Sequence, residues 1–340
     1  MNPSAATEKI GALKASETTD GSGPIRTECP GCGESGVRTL FHGSDRLFHT
    51  TDKSFLLVEC KNCRLIRLEP RPSPQELSRY YPPEYWFAPE DDTASKIEEQ
   101  YRRFVLRDHV NFVMRAVESS GEKGLVVDVG CGGGLLLRML RERGMAVLGL
   151  EKSHEAASAA WKRNHVAVVR GDLSEGPIER GTCAVVTMFH VLEHLHEPVS
   201  YLRSARDLLV PGGRLVIQVP NASSWQFLMF GEHWNGVDVP RHLVNYRQRD
   251  LEHLLDYCGF EVVRRKHFSL RDNPAGFASS IAPALDPMAR RVRKLKEKPA
   301  MKLVKDLIYF TILLAALPFT LFEAACGAGS TIMLEARKKT

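Results

Sequence analysis

The amino-acid sequence predicts an α/β protein, a doubly wound and mostly parallel sheet preceded by a small cysteine-rich module. Three observations lead to this fold class. Apolar strands and amphipathic helices alternate five times between residues 125 and 221. A glycine-rich turn joins the first of those strands to its helix, and two Cys-x-x-Cys pairs stand near the N-terminus. With 340 residues, 43% of them hydrophobic, the chain can bury one large core and a smaller one.

The cysteine-rich module predicts a structural Zn²⁺ site. Its four candidate ligands form two pairs, each in a tight turn: Cys29, Cys32, Cys60 and Cys63. Four thiolates satisfy a tetrahedral zinc ion, and so small a module needs the metal to fold. The sequence has eight cysteines and no N-terminal secretory signal, which favours a reducing cytosol over secreted disulfides. A redox dithiol and four unrelated free cysteines are the alternatives.

A proline-rich connector and a long helix follow. The prolines between residues 68 and 86 predict an extended segment. Its aromatic residues could line a substrate entrance or attach the cysteine module to the main domain, and attachment is favoured: Tyr80, Tyr81, Tyr85 and Trp86. An apolar stripe then predicts a helix over 94–118.

Local pattern defines the remaining elements. Apolar runs predict strands over 125–129, 146–150, 166–170, 184–189, 214–219, 261–268 and 331–337. Apolar residues recurring every three or four positions predict helices over 135–143, 154–163 and 198–209.

The turn after the first of these strands is suited to a ligand with a positive charge. Three glycines at alternate positions would let a ligand approach bare backbone: Gly130, Gly132 and Gly134. A dinucleotide fingerprint needs its third glycine where Leu135 stands, and a phosphate loop needs a lysine that is absent. Asp128 would repel a pyrophosphate but can pair with a cationic group.

Two further acids follow the next two strands. Glu151 lies about 20 residues beyond the glycines, a spacing that suits acceptance from two ribose hydroxyls. Polar residues also end strands for structural reasons, so that alternative stays open. Asp172 is placed to meet an adenine amino group.

Taken together, the segments 149–153, 171–173, 190–198 and 208–221 resemble the successive motifs of class I methyltransferases that use S-adenosylmethionine. The whole order, over roughly residues 29–270, is similar to a bacterial family (methyltransferase type 11, 12 or 23) with a zinc ribbon before the methyltransferase domain. The resemblance implies a seven-stranded Rossmann-like sheet with an antiparallel last strand. It also implies a polar acceptor, such as a sugar, a polysaccharide precursor or a secondary metabolite.

The same resemblance implies a set of cofactor-binding residues: Asp128, Gly130, Cys131, Gly132, Gly134, Glu151, Lys152, Asp172, Leu173, Phe189 and His190. Cys131 is expected to pack against the cofactor rather than act as a nucleophile. The predicted organisation is a disordered leader 1–27, a zinc ribbon 28–68, a connector and helix 69–120, a methyltransferase domain 121–274 plus 329–338, and a helical insertion 275–328.

Histidines beyond the ends of strands four to six are the candidates for the base that removes an acceptor proton. His242 is the first choice, followed by His190 and His233, whereas Glu193 and His194 are expected to shape their loop. Trp234 could wall the acceptor site or belong to the core. A cofactor-binding scaffold without turnover is the alternative function, and a nicotinamide oxidoreductase is excluded by the glycine spacing.

The insertion concentrates the positive charge of the chain. The net charge is +5, and the run 290–302 alone carries seven Lys or Arg and one Glu. The near-neutral remainder excludes broad nucleic-acid binding. The apolar segment 307–322, predicted as a hairpin broken by Pro318, would span about 24 Å as a helix, less than the ~30 Å hydrocarbon core.

The segment 290–322 is therefore predicted to be an interfacial anchor and not a transmembrane span. The alternatives are a cover over the protein's own sheet and a contact with a second copy, and the oligomeric state is open. The expected acceptor is a small or lipid-linked molecule, and the expected location is the cytoplasm with peripheral contact at the inner face of the membrane.

Overall fold

The computed structural model of the protein describes residues 28–85, 93–121, 124–173 and 176–339. The predicted leader 1–27 and Trp86 lie outside the described residues.

Within these residues the strands are β1 (Val37–Ser44), β2 (Ser54–Cys60), β3 (Ile66–Glu69), β4 (Leu125–Val129), β5 (Val147–Glu151), β6 (Val168–Arg170), β7 (Cys183–Phe189), β8 (Leu209–Pro220), β9 (Val244–Asn245), β10 (Phe260–Lys266) and β11 (Thr331–Lys338). The α-helices are α1 (Pro74–Arg79), α2 (Thr93–Ser120), α3 (Leu135–Arg141), α4 (His154–Asn164), α5 (Pro198–Leu208), α6 (Trp225–Phe230), α7 (Gln248–Tyr257), α8 (Asn273–Ile281), α9 (Pro287–Val292) and α10 (Pro299–Ala325).

The main sheet has seven strands in the order β10-β11-β8-β7-β4-β5-β6. Five of them, β4 to β8, are mutually parallel, and β11 lies antiparallel between β8 and β10. The predicted mostly parallel seven-stranded sheet is therefore confirmed. Helices cover both faces, which explains why β7 is apolar along almost its whole length.

Alternate residues of the central strand serve the two core layers. Val126 belongs to the layer that contains α2 and α3, whereas Val127 belongs to the layer that contains α5 and α7. Because successive side chains of a strand point to opposite faces, β4 anchors both layers. Its C-terminal end is thereby held rigidly where the glycine turn begins.

The cysteine-rich module is a four-stranded antiparallel sheet in the order β1-β2-β3-β9. The first three strands come from the N-terminal segment, as a small ribbon requires. The fourth, β9, comes from the distant part of the chain that follows the fifth parallel strand, and it pairs with β3. Residues of the ribbon and of the main sheet share one continuous hydrophobic cluster.

The connector is not extended throughout, so that expectation is wrong in part. Ser73 caps α1 by accepting a hydrogen bond from the backbone N–H of Glu76, and Pro74 occupies the first helical position. A further short helical turn covers Pro83–Tyr85. Prolines at helix starts fix φ without losing a hydrogen bond, so this segment turns instead of running straight.

The apolar segment of the insertion is the middle of one long helix, α10, and the expected hairpin is wrong. Pro318 lies on the exposed side of α10, where a carbonyl without its helical partner stays accessible. The 27 residues of α10 extend about 40 Å, so the length argument made from 16 residues is also wrong. The basic run is not one helix either, because α9 ends at Val292 and α10 begins at Pro299.

Candidate active site

The glycine turn adopts a backbone that other residues strain to reach. Gly130, Gly132 and Gly134 have φ of 69°, 52° and 75°. A Cβ on Gly134 would lie 2.9 Å from the Cβ of Ala160, too close for an unshifted contact. The turn therefore presents bare backbone at the end of β4.

Glu151, at the end of β5, is oriented by that same turn. Its Oε2 accepts a hydrogen bond of 2.9 Å from the N–H of Gly132, and its Oε1 accepts one of 2.8 Å from the N–H of Ser153. Each carboxylate oxygen keeps a further lone pair. Glu151 can therefore accept from two more donors without moving.

Asp128, at the end of β4, is a buried acid without a cationic partner among its described contacts. Its Oδ1 accepts a hydrogen bond from the hydroxyl of Thr187 at 2.5 Å. Burial raises the pKa of Asp128 to about 7. A cationic ligand placed against this carboxylate would lower the pKa again and favour the ionised form.

The other expected cofactor residues lie around the ends of β5, β6 and β7. Lys152 Nζ lies 2.8 Å from Asp172 Oδ2, so these two side chains form an ion pair. Leu173 is buried, and the Phe189 ring packs edge-on against His109 with centroids 5.2 Å apart. Cys131 is buried, and burial raises the pKa of its thiol, which therefore stays protonated.

His190, directly after β7, lies between two carboxylates. Its Nδ1 is 3.2 Å from Glu193 Oε1, and its Nε2 is 3.4 Å from Asp272 Oδ1. Burial alone would lower the pKa of His190, but the two carboxylates outweigh it and raise that pKa to about 9. The two carboxylates thus favour the protonated imidazole, which makes His190 poorly suited to remove a proton.

Asp272 and Gln218 belong to this network, and sequence reasoning missed both. Gln218 Nε2 donates to Asp272 Oδ2 at 2.7 Å, and the same amide nitrogen lies 2.8 Å from His190 Nε2. Gln218 was detectable as the one polar side chain inside an apolar strand, 215–219. Asp272 carried no comparable signal, because only the packing of the chain after β10 brings it to His190.

His242 and His194 form a second histidine cluster beside the first. The Nδ1 of His242 donates to the carbonyl oxygen of Gly236 at 2.8 Å, which leaves Nε2 as an acceptor. The two rings pack edge to face with centroids 4.7 Å apart, and the His194 Nδ1 is 2.8 Å from the Tyr81 hydroxyl. Burial lowers the pKa of His194 to about 4, so that ring is neutral.

Glu193 connects the two clusters. Its side chain is 1% exposed, and its Oε2 has no hydrogen-bond partner among the described residues. Ligand atoms of Glu193, His194 and His242 all lie within 4.8 Å of one another. These three side chains could hold a metal ion. Without one, they form a buried polar cluster beside the ends of β7 and β8.

Comparison with known proteins agrees with this geometry. A family model described as a methyltransferase domain matches residues 98–265. The ubiquinone biosynthesis O-methyltransferase of Marinobacter nauticus is 32% identical over 127 residues, 35% of this chain and 52% of that protein. The enzyme of the same name from Citrobacter koseri is 28% identical over 172 residues, 47% of this chain and 71% of that protein. The chain thus spans about half the length of the first of these relatives.

Among solved structures, a SAM-dependent methyltransferase from Archaeoglobus fulgidus is 19% identical with a TM-score of 0.45, covering 73% of this chain and all of that one. Magnesium protoporphyrin IX methyltransferase from Synechocystis is 16% identical with a TM-score of 0.44, covering 75% and 91%.

Residues 98–265 form a methyltransferase domain.

Of the three expected catalytic histidines, only His190 and His242 lie in the two clusters of the methyltransferase domain. The His233 side chain is 61% exposed, and its nearest acid is Glu232 at 4.0 Å. Trp234 is 3% exposed and packs edge-on against Phe227, so it is a core residue, and it also borders a small cleft with His233 and Asp238.

The four cysteines of the ribbon converge on one point. Cys29 Sγ is 3.5 Å from Cys63 Sγ, and Cys32 Sγ is 3.6 Å from Cys60 Sγ. All four sulfurs lie within 4.8 Å of one another. A tetrahedral zinc ion places its sulfur ligands about 3.8 Å apart, so the arrangement fits that ion.

Arg241 ties the ribbon to the segment that carries His242. Its fully buried guanidinium donates to Asp45 of the ribbon at 2.7 Å and to Asp238 at 2.7 Å. It also lies over the Phe48 ring, 4.4 Å from the centroid. The ribbon and the segment that carries His242 are therefore one packed unit at this point.

Proposed function

We propose that the protein transfers the methyl group of S-adenosylmethionine to a small or lipid-linked polar acceptor, such as a sugar, a polysaccharide precursor or a secondary metabolite. The observation that carries this proposal is the placement of Asp128 and Glu151 at adjacent strand ends against the glycine turn, with a histidine cluster beside the ends of β7 and β8. In the reaction an acceptor atom attacks the sulfonium methyl carbon, the carbon–sulfur bond breaks, and a base takes the acceptor proton. The O-methyltransferase names of the relatives make an oxygen acceptor the first to test.

The cofactor roles follow from charge and position. Asp128 lies toward the cationic part of the cofactor in this proposal, because it is a buried acid bonded only to the Thr187 hydroxyl among its described contacts, and a positive group beside it would favour its ionised form. Glu151 accepts from both ribose hydroxyls through its remaining lone pairs. Asp172 meets the adenine amino group, and its ion pair with Lys152 holds its carboxylate in place. The remaining residues of the set line the cofactor by shape: Gly130, Cys131, Gly132, Gly134, Leu173, Phe189 and His190.

His242 is the base in this proposal. The carbonyl of Gly236 holds its proton on Nδ1, which leaves a basic Nε2 inside a polar, nearly closed cluster. The two carboxylates beside His190 favour its protonated form. In this proposal its positive charge contributes to the electrostatics of the site, and the ring does not accept the acceptor proton. His233 is too exposed for a shielded proton transfer.

The four cysteines hold one structural zinc ion in this proposal. The β1–β2 hairpin carries the cysteine cluster at one end, where Val37 pairs with Cys60, and the Asp45 contact at the other, where Ser44 pairs with Ser54. In this proposal the metal therefore stabilises the ribbon and takes no part in methyl transfer. A cytoplasmic location follows from the reduced thiolates that this zinc needs.

Calorimetry with S-adenosylmethionine tests the cofactor assignment. The wild type should bind it, and Glu151→Ala should bind much more weakly because two ribose hydroxyls lose their acceptor. Glu155→Ala, an exposed acid on the next helix, is the matched control and should bind as the wild type does. Equal affinity of Glu151→Ala and the control would refute the ribose role.

Isotope labelling in cells tests turnover and identifies the acceptor. A deletion strain fed methionine with a deuterated methyl group should lack one labelled glycan, lipid or metabolite that the wild-type gene restores. His242→Ala should lower the restored product about 10²-fold or more and keep cofactor affinity, whereas the exposed His253→Ala should restore it fully. Cofactor binding without any labelled product would favour the scaffold without turnover.

A further inference from the structure

We propose that the outer face of α10 docks flat on an anionic lipid bilayer, and that this face presents the acceptor side of the site to a lipid-linked substrate. The second half of this inference rests on the methyl transfer proposed above, whereas the docking does not.

The outer face of α10 is broad, apolar and uncovered. Its large side chains are between 47% and 62% exposed: Leu303, Leu307, Phe310, Leu314, Leu321 and Phe322. The neighbouring α6, which contacts α10 through Trp225 and Phe322 at 5.6 Å between centroids, adds Leu228 and Met229 at 74% and 54% exposure. Contiguous apolar patches of this kind mark docking surfaces for proteins or membranes.

Length and composition alone would allow α10 to cross a membrane. It is the one such helix among the described residues, and most of its apolar surface is uncovered. The packing decides otherwise, because a narrow buried stripe runs along the inner side of the helix: Tyr309, Leu313, Ala316, Thr320 and Glu323.

This stripe is bonded to the body of the protein at both ends. The Tyr309 hydroxyl lies 2.9 Å from the Ser279 hydroxyl on α8. The Glu323 carboxylate accepts from the backbone N–H and the side-chain amide of Gln226, both at 2.9 Å. The chain then enters β11 inside the main sheet. In this fold α10 therefore lies along the body of the protein, an arrangement that suits contact in the plane of a membrane surface.

The charge beside this face selects an anionic surface. Part of the basic run is neutralised within the fold, because Arg290 pairs with Glu297 and Asp306, and Lys294 pairs with Glu84. Four cations remain without an acidic partner among the described residues: Arg293, Lys296, Lys298 and Lys302. They stand immediately before the apolar face and at its N-terminal end, which is the arrangement of an amphipathic membrane anchor.

The docking face and the acceptor side share one element. The helix α8 packs against α10 and begins at Asn273, directly after the Asp272 that contacts His190. Gln226, which holds Glu323 of α10, also donates to the carbonyl oxygen of Asn273. An acceptor with a polar head and an apolar tail could therefore keep its tail in the membrane while its head reaches the site.

Flotation of the full-length protein with vesicles tests the docking. The wild type should float with vesicles of phosphatidylcholine and phosphatidylglycerol at low salt, and less with phosphatidylcholine alone or at high salt. Leu307→Glu/Leu314→Glu should lower the bound fraction about tenfold or more under every condition, because both charges enter the apolar face. Lys298→Glu/Lys302→Glu should remove only the salt-sensitive part. Trp161→Glu is the matched control, since this exposed side chain on α4 lies at the opposite edge of the sheet.

Three results would overturn the docking. They are a wild type that stays at the bottom of the gradient with anionic vesicles, an apolar double variant that floats like the control, and a lipid-free dimer that the double variant converts to a monomer. The last result would show that a second copy covers the face. Calorimetry with S-adenosylmethionine on the same preparations separates the two proposals, because flotation needs neither cofactor nor acceptor.

Discussion

Replacing Asp45 by alanine should destabilise the whole protein, because the buried Arg241 guanidinium loses one of its two carboxylate partners. The Arg241 guanidinium and the Asp45 carboxylate are fully buried as side chains, with Nη2–Oδ1 and Nη1–Oδ2 distances of 2.7 and 3.1 Å. Removing one partner of a buried pair costs about 3–5 kcal/mol. Asp238 still faces Arg241 in the variant, so we expect a loss near 3 kcal/mol of unfolding free energy.

Urea unfolding at neutral pH, followed by tryptophan fluorescence, measures this loss. Asp52→Ala, an exposed acid a few residues further along the ribbon, is the matched control and should change the unfolding free energy by less than about 0.5 kcal/mol. A loss below about 1 kcal/mol in Asp45→Ala would refute the reasoning, since it would mean that solvent reaches the pair.

The same pair has a pH signature. Burial alone would raise the pKa of Asp45, but Arg241 outweighs it and lowers that pKa below its ordinary value of 3.8. A lowered pKa in the folded state contributes stability above pH 3.8, and this stability is lost as the pH falls through the folded pKa. The gap in unfolding free energy between wild type and Asp45→Ala should therefore close in acid. Asp45 also holds Arg241, the residue next to His242. Asp45→Ala should therefore reduce methyl transfer more than it reduces affinity for S-adenosylmethionine.

Three further predictions concern separate parts of the molecule. The carboxylates beside His190 raise its pKa from 6.5 to about 9, so its contribution to stability is complete below pH 6.5 and lost as the pH rises through 9; urea midpoints should show this decline, and His190→Gln should flatten it. Gly134→Ala should weaken binding of S-adenosylmethionine and lower the melting temperature. Gly133→Ala, whose Cβ would meet open space, is the control and should change neither. Equal effects of the two variants in calorimetry and thermal melting would contradict the turn geometry. Elemental analysis should find about one zinc per chain in the wild type and in Cys326→Ser but almost none in Cys60→Ser, and a wild type without zinc would contradict the thiolate site.

The positions of the glycine turn and of the acids at the ends of β4 and β5 could be predicted from the sequence because their signals are local. The apolar run of β4, the alternate glycines and Glu151 stand within about 25 residues, and parallel strands bring their ends to one edge of a sheet by geometry alone. The two Cys-x-x-Cys pairs are local in the same sense. A period of two or of 3.6, a turn residue and a metal-ligand spacing are each properties of a short stretch of chain.

The two histidine clusters depend on contacts between residues far apart in the chain, and no local pattern specifies them. Asp272 reaches His190 across 82 positions, and Asp45 reaches Arg241 across 196. The tertiary structure also placed His233 at the surface and His190 between two carboxylates. These different surroundings distinguish two histidines that the sequence alone could not tell apart.

The insertion shows the same division within one segment. The sequence by itself determined that a basic run precedes an apolar one, because composition is visible in letters. Only the tertiary structure decided that Arg290 is neutralised by Glu297 and Asp306, that the apolar run is a single helix, and which side of it faces outward. Burial and ion pairing depend on what the rest of the chain packs against a residue, so they are properties of the fold and not of the segment.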